Sequence, residues 1–200
     1  MDKQNAITVI ILAAGQSLRF GEENKLLQNV DGRSLIERSI AAAVSSKAKN
    51  VIVVTGFEAE KIKSTVSDYP VTFIDNPQFE NGMSTSIVAA LQHLNQTTAG
   101  VMIVLADMYK ISTRHIDQLI DAFTGDGGQR ITVPCYNGKR GNPVLWPVSY
   151  VKDLKNLKGD HGGRHILENL ETFGGDRLCR VEMLTDAIFF DVDEIQDIKQ

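Results

Sequence analysis

A chain of 200 residues has room for one sizeable domain, or at most two small ones. Apolar residues make up 42% and charged residues 23%, with 16 glycines and 5 prolines; these values exclude wholesale disorder, a collagen-like repeat and a disulfide scaffold. A formal net charge of −4 lacks the broad basic footprint of a nucleic-acid binder, while leaving room for a local cluster that binds phosphate.

The first element is the apolar run Ile7 to Ala14, interrupted by Thr8. It is far short of the ~20 residues that a membrane helix needs, so no membrane partner is expected. Its density of β-branched residues, and the glycine- and arginine-bearing loop that follows, also argue against a secretory signal. Near-continuous runs of this kind read as parallel strands covered on both faces, and they recur at Asn50 to Gly56 and Gly100 to Asp107, with shorter versions at Val71 to Ile74 and Arg130 to Cys135. Segments of helical period lie between them. Ser34 to Ser46 carries Leu35, Ile36, Ile40 and Ala43 on one side, with Ser34 and Glu37 as a capping box; Glu58 to Val66, Ser84 to Leu94 and Ser112 to Phe123 follow.

The last third is less regular. Gly141 to Trp146 reads as a turn and short strand, Tyr150 to Leu157 and Gly163 to Leu170 as helices, and Ala187 to Val192 as a late strand. There is no linker, low-complexity stretch or internal repeat, and Gly125 to Gly128 is a turn cluster. The expectation is one domain over 1–200, α/β in class, with a doubly wound, mostly parallel sheet in a three-layer α/β/α sandwich. Cys135 and Cys179 have no metal-ligand spacing and read as reduced, buried thiols of a cytoplasmic protein.

In open α/β sheets, ligands bind at the carboxyl ends of the strands. After the first strand comes Leu12-Ala-Ala-Gly-Gln-Ser-Leu-Arg-Phe-Gly21, then Lys25. Small residues at Ala13, Ala14 and Gly15 let the backbone approach a base or phosphate, while Arg19 and Lys25 bring two cations to one loop, as a triphosphate requires. The loop is neither a Walker P-loop nor Gly-x-Gly-x-x-Gly. Asp107 ends another buried strand and is a natural ligand for Mg²⁺ carried by a nucleotide. Asp191 and Asp193 end the late strand and point to opposite faces if it stays extended, so one of them could join Asp107. Asn81 to Ser86 opens a helix whose free amides, with Ser84 and Ser86, can meet a base or phosphate, unless Ser84 is simply its N-cap. Leu157 to Arg164 gathers Asp160, His161 and Arg164 on flexible backbone, whereas His93, His115 and His165 read as ordinary helix residues.

The loop Leu12 to Gly21 with Lys25 resembles the signature of the MobA-like nucleotidyltransferases, most closely their molybdenum cofactor cytidylyltransferase branch. Asn81 to Ser86, Leu105 to Met108, Gly141 to Leu145 and Gly159 to Arg164 agree in order. The resemblance implies a nucleotide-diphosphosugar-transferase-like fold and Mg²⁺-dependent transfer of CMP from CTP to a phosphorylated acceptor, with molybdopterin/molybdenum cofactor as the expected one, releasing pyrophosphate. By position, Leu12, Ala13, Ala14 and Gly15 would cradle base and ribose, Arg19 and Lys25 the triphosphate, and Ser84 and Ser86 the base. Asp107, with Asp191 or Asp193, would hold Mg²⁺; Gly141, Asn142, Pro143, Asp160 and Arg164 would line the acceptor side. Ala-Ala-Gly favours CTP, since the guanylyl branch tends to have Gly-Gly there. A molybdenum hydroxylase is then an implied partner.

The departures from the family pattern are Tyr109 where proline is usual, Phe20 where methionine is usual, and the loss of Thr-Pro after Asp193. Competing readings are a NAD(P)H-dependent reductase on the same fold, a non-catalytic accessory that delivers cofactor to an apo-enzyme, and a sugar-phosphate nucleotidyltransferase with a similar first loop.

Overall fold

A computed structural model describes residues 6–17, 20, 24–160, 162–173, 176–192 and 197. In chain order the strands and helices are β1 (Ala6–Ala13), β2 (Asn29–Val30), β3 (Arg33–Ser34), α1 (Leu35–Val44), β4 (Asn50–Thr55), α2 (Ala59–Thr65), β5 (Thr72–Asp75), α3 (Met83–Leu91) and β6 (Thr98–Leu105). They continue with α4 (Thr113–Gly125), β7 (Ile131–Tyr136), β8 (Lys139–Arg140), β9 (Val144–Pro147), α5 (Val151–Lys155), α6 (Arg164–Phe173) and β10 (Leu178–Glu182).

Eight strands form one sheet in the order β10-β7-β9-β6-β1-β4-β5, with β8 paired to β7; β2 and β3 make a separate hairpin. The pairs β1·β4, β1·β6, β4·β5 and β7·β10 are parallel, and β9 runs antiparallel to its neighbours β6 and β7. The sheet is therefore mixed and mostly parallel, with helices on both faces, as the sequence pattern predicts.

The alternation inside β1 explains the layers. Ile7, Val9 and Ile11 face one side, against Ile36 and Ile40 of α1 and Leu119 and Phe123 of α4. Ile10 faces the other side, with Ile52 and Val54 of β4, against Ile87 and Ala90 of α3 and Leu167 of α6. These side chains are at most 4% exposed, and each burial of a Val, Leu, Ile or Phe among them contributes about 1.5–3 kcal/mol. No helix among the described residues is long and apolar enough to cross a membrane.

β1 lies between β4 and β6. The chain leaves β1 toward β4 on one side and later lays β6 on the other, so the connections diverge at the carboxyl ends of β1 and β6. That divergence opens a crevice where open α/β sheets bind ligands.

Two expectations from the sequence fail. Ala187 to Val192 is not a strand: Asp186–Phe189 is a 3-10 turn, with Thr185 Oγ1 accepting from the Ala187 amide at 3.2 Å. Its apolar residues are spent on a plug, in which Ala187 and Ile188 are buried and the Ile188 carbonyl accepts from the Asn142 amide at 3.0 Å. The place beside β7 belongs to β10, whose exposed Arg180 and Glu182 give it the alternation of a half-solvated edge. Cys179 sits on that edge and is only partly buried, unlike Cys135.

The predicted capping box is present at the start of α1. Ser34 Oγ accepts from the Glu37 amide at 3.3 Å, and Glu37 Oε2 accepts from the Ser34 amide at 2.8 Å and from Ser34 Oγ at 2.6 Å. These bonds, chiefly the hydroxyl one, hold the Glu37 carboxyl below its ordinary value of 4.5. A depressed carboxyl stabilises the fold fully above that value and loses its contribution as pH falls through the folded value. Ser34→Ala is therefore expected to lower stability by about 1 kcal/mol at neutral pH, read from urea midpoints. The gap from wild type should narrow as the pH falls below about 4.5.

Candidate functional site

The crevice is a cleft of about 500 Å³ at the carboxyl ends of β1 and β6, where Leu12 and Leu105 stand in register and both line the wall. The loop after β1 forms its floor. Ala14 tucks into the core beside Ile87, while Gly15 is exposed, lines the cleft, and has no described neighbour within 4 Å of where a Cβ would stand. Ser17 turns the chain sharply at φ 53, and the Phe20 amide donates to the Ser17 carbonyl at 2.8 Å. The Lys25 amide donates to Ser17 Oγ at 3.3 Å, and Asn24 Oδ1 caps the 3-10 turn Lys25–Leu27 by accepting from the Leu26 amide at 3.0 Å. The loop thus doubles back and sends the Lys25 side chain inward.

There Lys25 meets Asp107. Nζ donates to Asp107 Oδ2 at 2.6 Å and to the Val192 carbonyl at 2.8 Å, with the two side chains only 18% and 15% exposed. Ser39 of α1 pins the strand end beneath Asp107 by donating to the Ala106 carbonyl at 2.8 Å. Asp107 Oδ1 is buried and has no hydrogen-bond partner among the described residues. A buried carboxylate oxygen left this way is costly unless a ligand takes it. Asp191 lines the same cleft, reaching it from the segment after the 3-10 turn rather than from a strand end. Among the described residues no group of three or more His, Cys, Asp or Glu could hold a metal. The donor set at hand is two carboxylates, which suits a hard divalent cation that takes its remaining oxygens from phosphate and water.

The start of α3 differs from expectation. Its cap position is Gly82, not Ser84, and its first amides are not free. Met83 N donates to Asp160 Oδ1 at 2.9 Å and Ser84 N to the Gly159 carbonyl at 3.0 Å. Gly82 has φ +103, and a Cβ there would stand 2.7 Å from the Gly159 carbonyl carbon, so only glycine lets the 157–160 loop dock. Ser84 is buried and does not line the cleft; Ser86 does. Ala13 likewise points away, into the core on the opposite face.

A second cavity of about 460 Å³ adjoins the first and shares Met83, Leu105 and Asp160 with it. Asn142, Arg164 and Arg140 line it around the buried ring of Trp146. Gly141 and Pro143 do not line it. Gly141 underlies the plug, since a Cβ there would stand 2.5 Å from the Ile188 carbonyl oxygen. Arg19, His161 and Asp193 lie outside the described residues.

Three contributors were not picked out in the sequence: Arg140, whose Nε donates to Glu171 Oε1 at 3.1 Å; Gln16, whose amide donates to Glu80 Oε1 at 3.0 Å; and Asn76. Asn76 carries the only visible signal, an Asn-Pro pair just past the strand Val71 to Ile74.

A family model described as the MobA-like NTP transferase domain matches residues 9–173. Bifunctional protein GlmU of Francisella tularensis subsp. novicida (strain U112) is 29% identical over 121 residues, which are 60% of this chain and 26% of that protein. The chain thus matches about a quarter of the length of these curated relatives. Among solved structures, Rv0371c of Mycobacterium tuberculosis H37Rv in complex with manganese is similar with a TM-score of 0.75 at 20% identity, covering 97% of this chain and 96% of that one. CMP:2-keto-3-deoxy-manno-octonic acid synthetase complexed with CTP gives 0.74 at 13% identity, covering 97% and 95%. At such identities these two likenesses establish the fold.

Gly15 and Gly163 separate open space at the cleft from space that the fold itself fills. A Cβ at Gly15 meets nothing described, whereas one at Gly163 runs into the Trp146 indole. Gly15→Ala is expected to stay within about 0.5 kcal/mol of wild type, and Gly163→Ala to lose about 1–3 kcal/mol, read by thermal unfolding.

Proposed function

The chain belongs to the MobA-like NTP transferase domain family, and from that membership we propose that it transfers CMP from CTP to a phosphorylated pterin acceptor and releases pyrophosphate. One domain over 1–200 carries the reaction. The observation that carries this reading is the Lys25–Asp107 pair at the carboxyl ends of β1 and β6, with Asp107 Oδ1 buried and unpartnered among the described residues. An ammonium for phosphate and a carboxylate for a divalent cation stand side by side in one cleft.

Asp107 and Asp191 are the groups that would hold Mg²⁺. Bound there, the ion supplies charge neutralisation at the phosphates and fixes their oxygens for in-line displacement. The chain's own residues do the rest. Leu12, Ala14 and Gly15 offer a shallow wall on which base and ribose lie, with Ser86 facing the same space. Lys25 takes the developing charge of the leaving pyrophosphate, and Arg19 adds the second cation that the loop's sequence supplies. An acceptor phosphate oxygen attacks the α-phosphorus, and the bond to the bridging oxygen breaks. No protein nucleophile is required, so the rate comes from positioning and electrostatics.

CTP is favoured by Ala13-Ala14-Gly15, and a synthetase of this fold is complexed with CTP. The second cavity is the place for a pterin: Trp146 gives it an apolar side, and Arg140 and Arg164, held by Glu171 and Glu168 of the same lining, bring guanidinium groups for a phosphate. Delivery of the product to a molybdenum hydroxylase follows from that acceptor. A cytoplasmic setting accords with Cys135 and Cys179 both being free thiols.

Incubation with CTP or GTP, Mg²⁺ and molybdopterin tests the reading through pyrophosphate release. Release is expected with CTP, and Lys25→Ala or Asp107→Asn should each lower kcat/KM by roughly 100-fold or more. Absence of pyrophosphate with every nucleotide and acceptor tried would overturn it.

A further inference from the structure

Asn76 is 3% exposed and sits at the carboxyl end of β5, outside the cleft. Its backbone amide donates to the Thr55 carbonyl at 2.8 Å, which anchors it to the end of β4. Its side-chain orientation follows from one bond. The Gln78 amide, which can only donate, lies 3.0 Å from Oδ1, so that atom is the carbonyl oxygen and the NH₂ group points the other way. The two hydrogens of Nδ2 are then divided between Thr85 Oγ1 at 2.8 Å and Ser86 Oγ at 2.9 Å.

The two hydroxyls are left in different states. Thr85 spends its own proton on the carbonyls of Gly82, at 2.8 Å, and Gln78, at 3.0 Å. Ser86 accepts from Asn76, lines the cleft, and meets no acceptor for its proton among the described residues. A hydroxyl with one lone pair engaged and its proton not spent on the described residues has that proton to offer a ligand.

We propose that Asn76 is a positioning residue that fixes Ser86 as a hydrogen-bond donor toward the cleft, so that the base is held by an acceptor atom, a carbonyl oxygen or unprotonated ring nitrogen, turned toward α3. This rests on the reading of the cleft as a nucleotide site and adds to it the polarity of the base contact. Cytosine presents both kinds of acceptor. Asn76 touches no ligand; its effect passes wholly through Ser86.

The test is a double-mutant cycle on CTP binding, measured by calorimetry with Mg²⁺ on the full chain. Asn76→Asp is nearly isosteric and still accepts from the Gln78 amide, but it turns an acceptor toward Ser86 and draws the serine proton away from the cleft. Ser86→Ala and Asn76→Asp are each expected to weaken CTP binding roughly 5- to 50-fold. Combined, they should weaken it no further than the worse single change, because the second acts only through the first. Asn76→Ala, which removes the donor without adding charge, should give a smaller loss of the same sign and reads the same effect if the aspartate variant does not fold. Additive losses in the double variant, the mark of a general structural or charge effect, would overturn the inference, as would variants that bind CTP like wild type. Wild-type protein that binds neither CTP nor GTP removes the nucleotide reading and this inference together. Wild-type binding alongside unaffected variants removes the inference alone.

Discussion

The Lys25 ammonium joins three parts of the chain that are remote in sequence. It belongs to the loop after β1, its carboxylate partner stands 82 residues on at the end of β6, and its carbonyl partner, Val192, lies 167 residues away. An exposed ion pair is worth little, but this one is mostly shielded, and removing one partner strands the other charge away from water. The same pairing balances one of the carboxylates of a cleft whose described lining also carries Glu80, Asp160 and Asp191. On the proposed reading, a polyphosphate carrying a divalent ion would offer each member a replacement: phosphate oxygens for the ammonium and a cation for the carboxylate. Asp107 Oδ1, buried and without a hydrogen-bond partner among the described residues, is the oxygen of the pair whose bonding capacity is still unused.

A small apolar cluster holds the third arm of that bridge in place. Phe20, Val30, Leu35 and Val192 are buried together, with Tyr109 and Phe190 packed against them. The Tyr109 and Phe190 rings meet edge to face at 5.6 Å, and Lys110 Nζ lies 3.5 Å from the centroid of the Phe190 ring. Two of the positions where this chain departs from the family pattern, Phe20 and Tyr109, are therefore neighbours in one cluster. Their bulk is spent on fixing residues 190–192, which is what brings the Val192 carbonyl to Lys25 and Asp191 to the cleft wall.

Much of the fold was legible because burial on both faces leaves a plain mark. β1, β4 and β6 are near-continuous apolar runs, and the helices between them carry their periodicity. What was not legible depends on distant partners. The run at Ala187 has a strand's composition, but its shape is set by the chain beneath it, where Gly141 and Asn142 receive Ile188. Ser84 has the residue type of a cap, yet the start of α3 is satisfied by Asp160 and Gly159, which no local pattern announces. In the cleft, Lys25 stood out as one of two cations in the loop after a buried strand, and Asp107 as a carboxylate at the tip of another. Asn76 did not, because an asparagine before a proline reads first as a turn, and its role appears only once the Gln78 amide fixes which way its side chain faces.

Mn²⁺ binding in the presence of CTP, followed by electron paramagnetic resonance in wild type and in Asp107→Asn, probes the metal–nucleotide assignment most directly. Tight binding by wild type and a loss of roughly tenfold or more in the variant are expected, since the substitution removes one charged oxygen ligand while keeping the side chain's shape. Equal Mn²⁺ affinity in the two proteins would contradict the assignment of Asp107 to the ion.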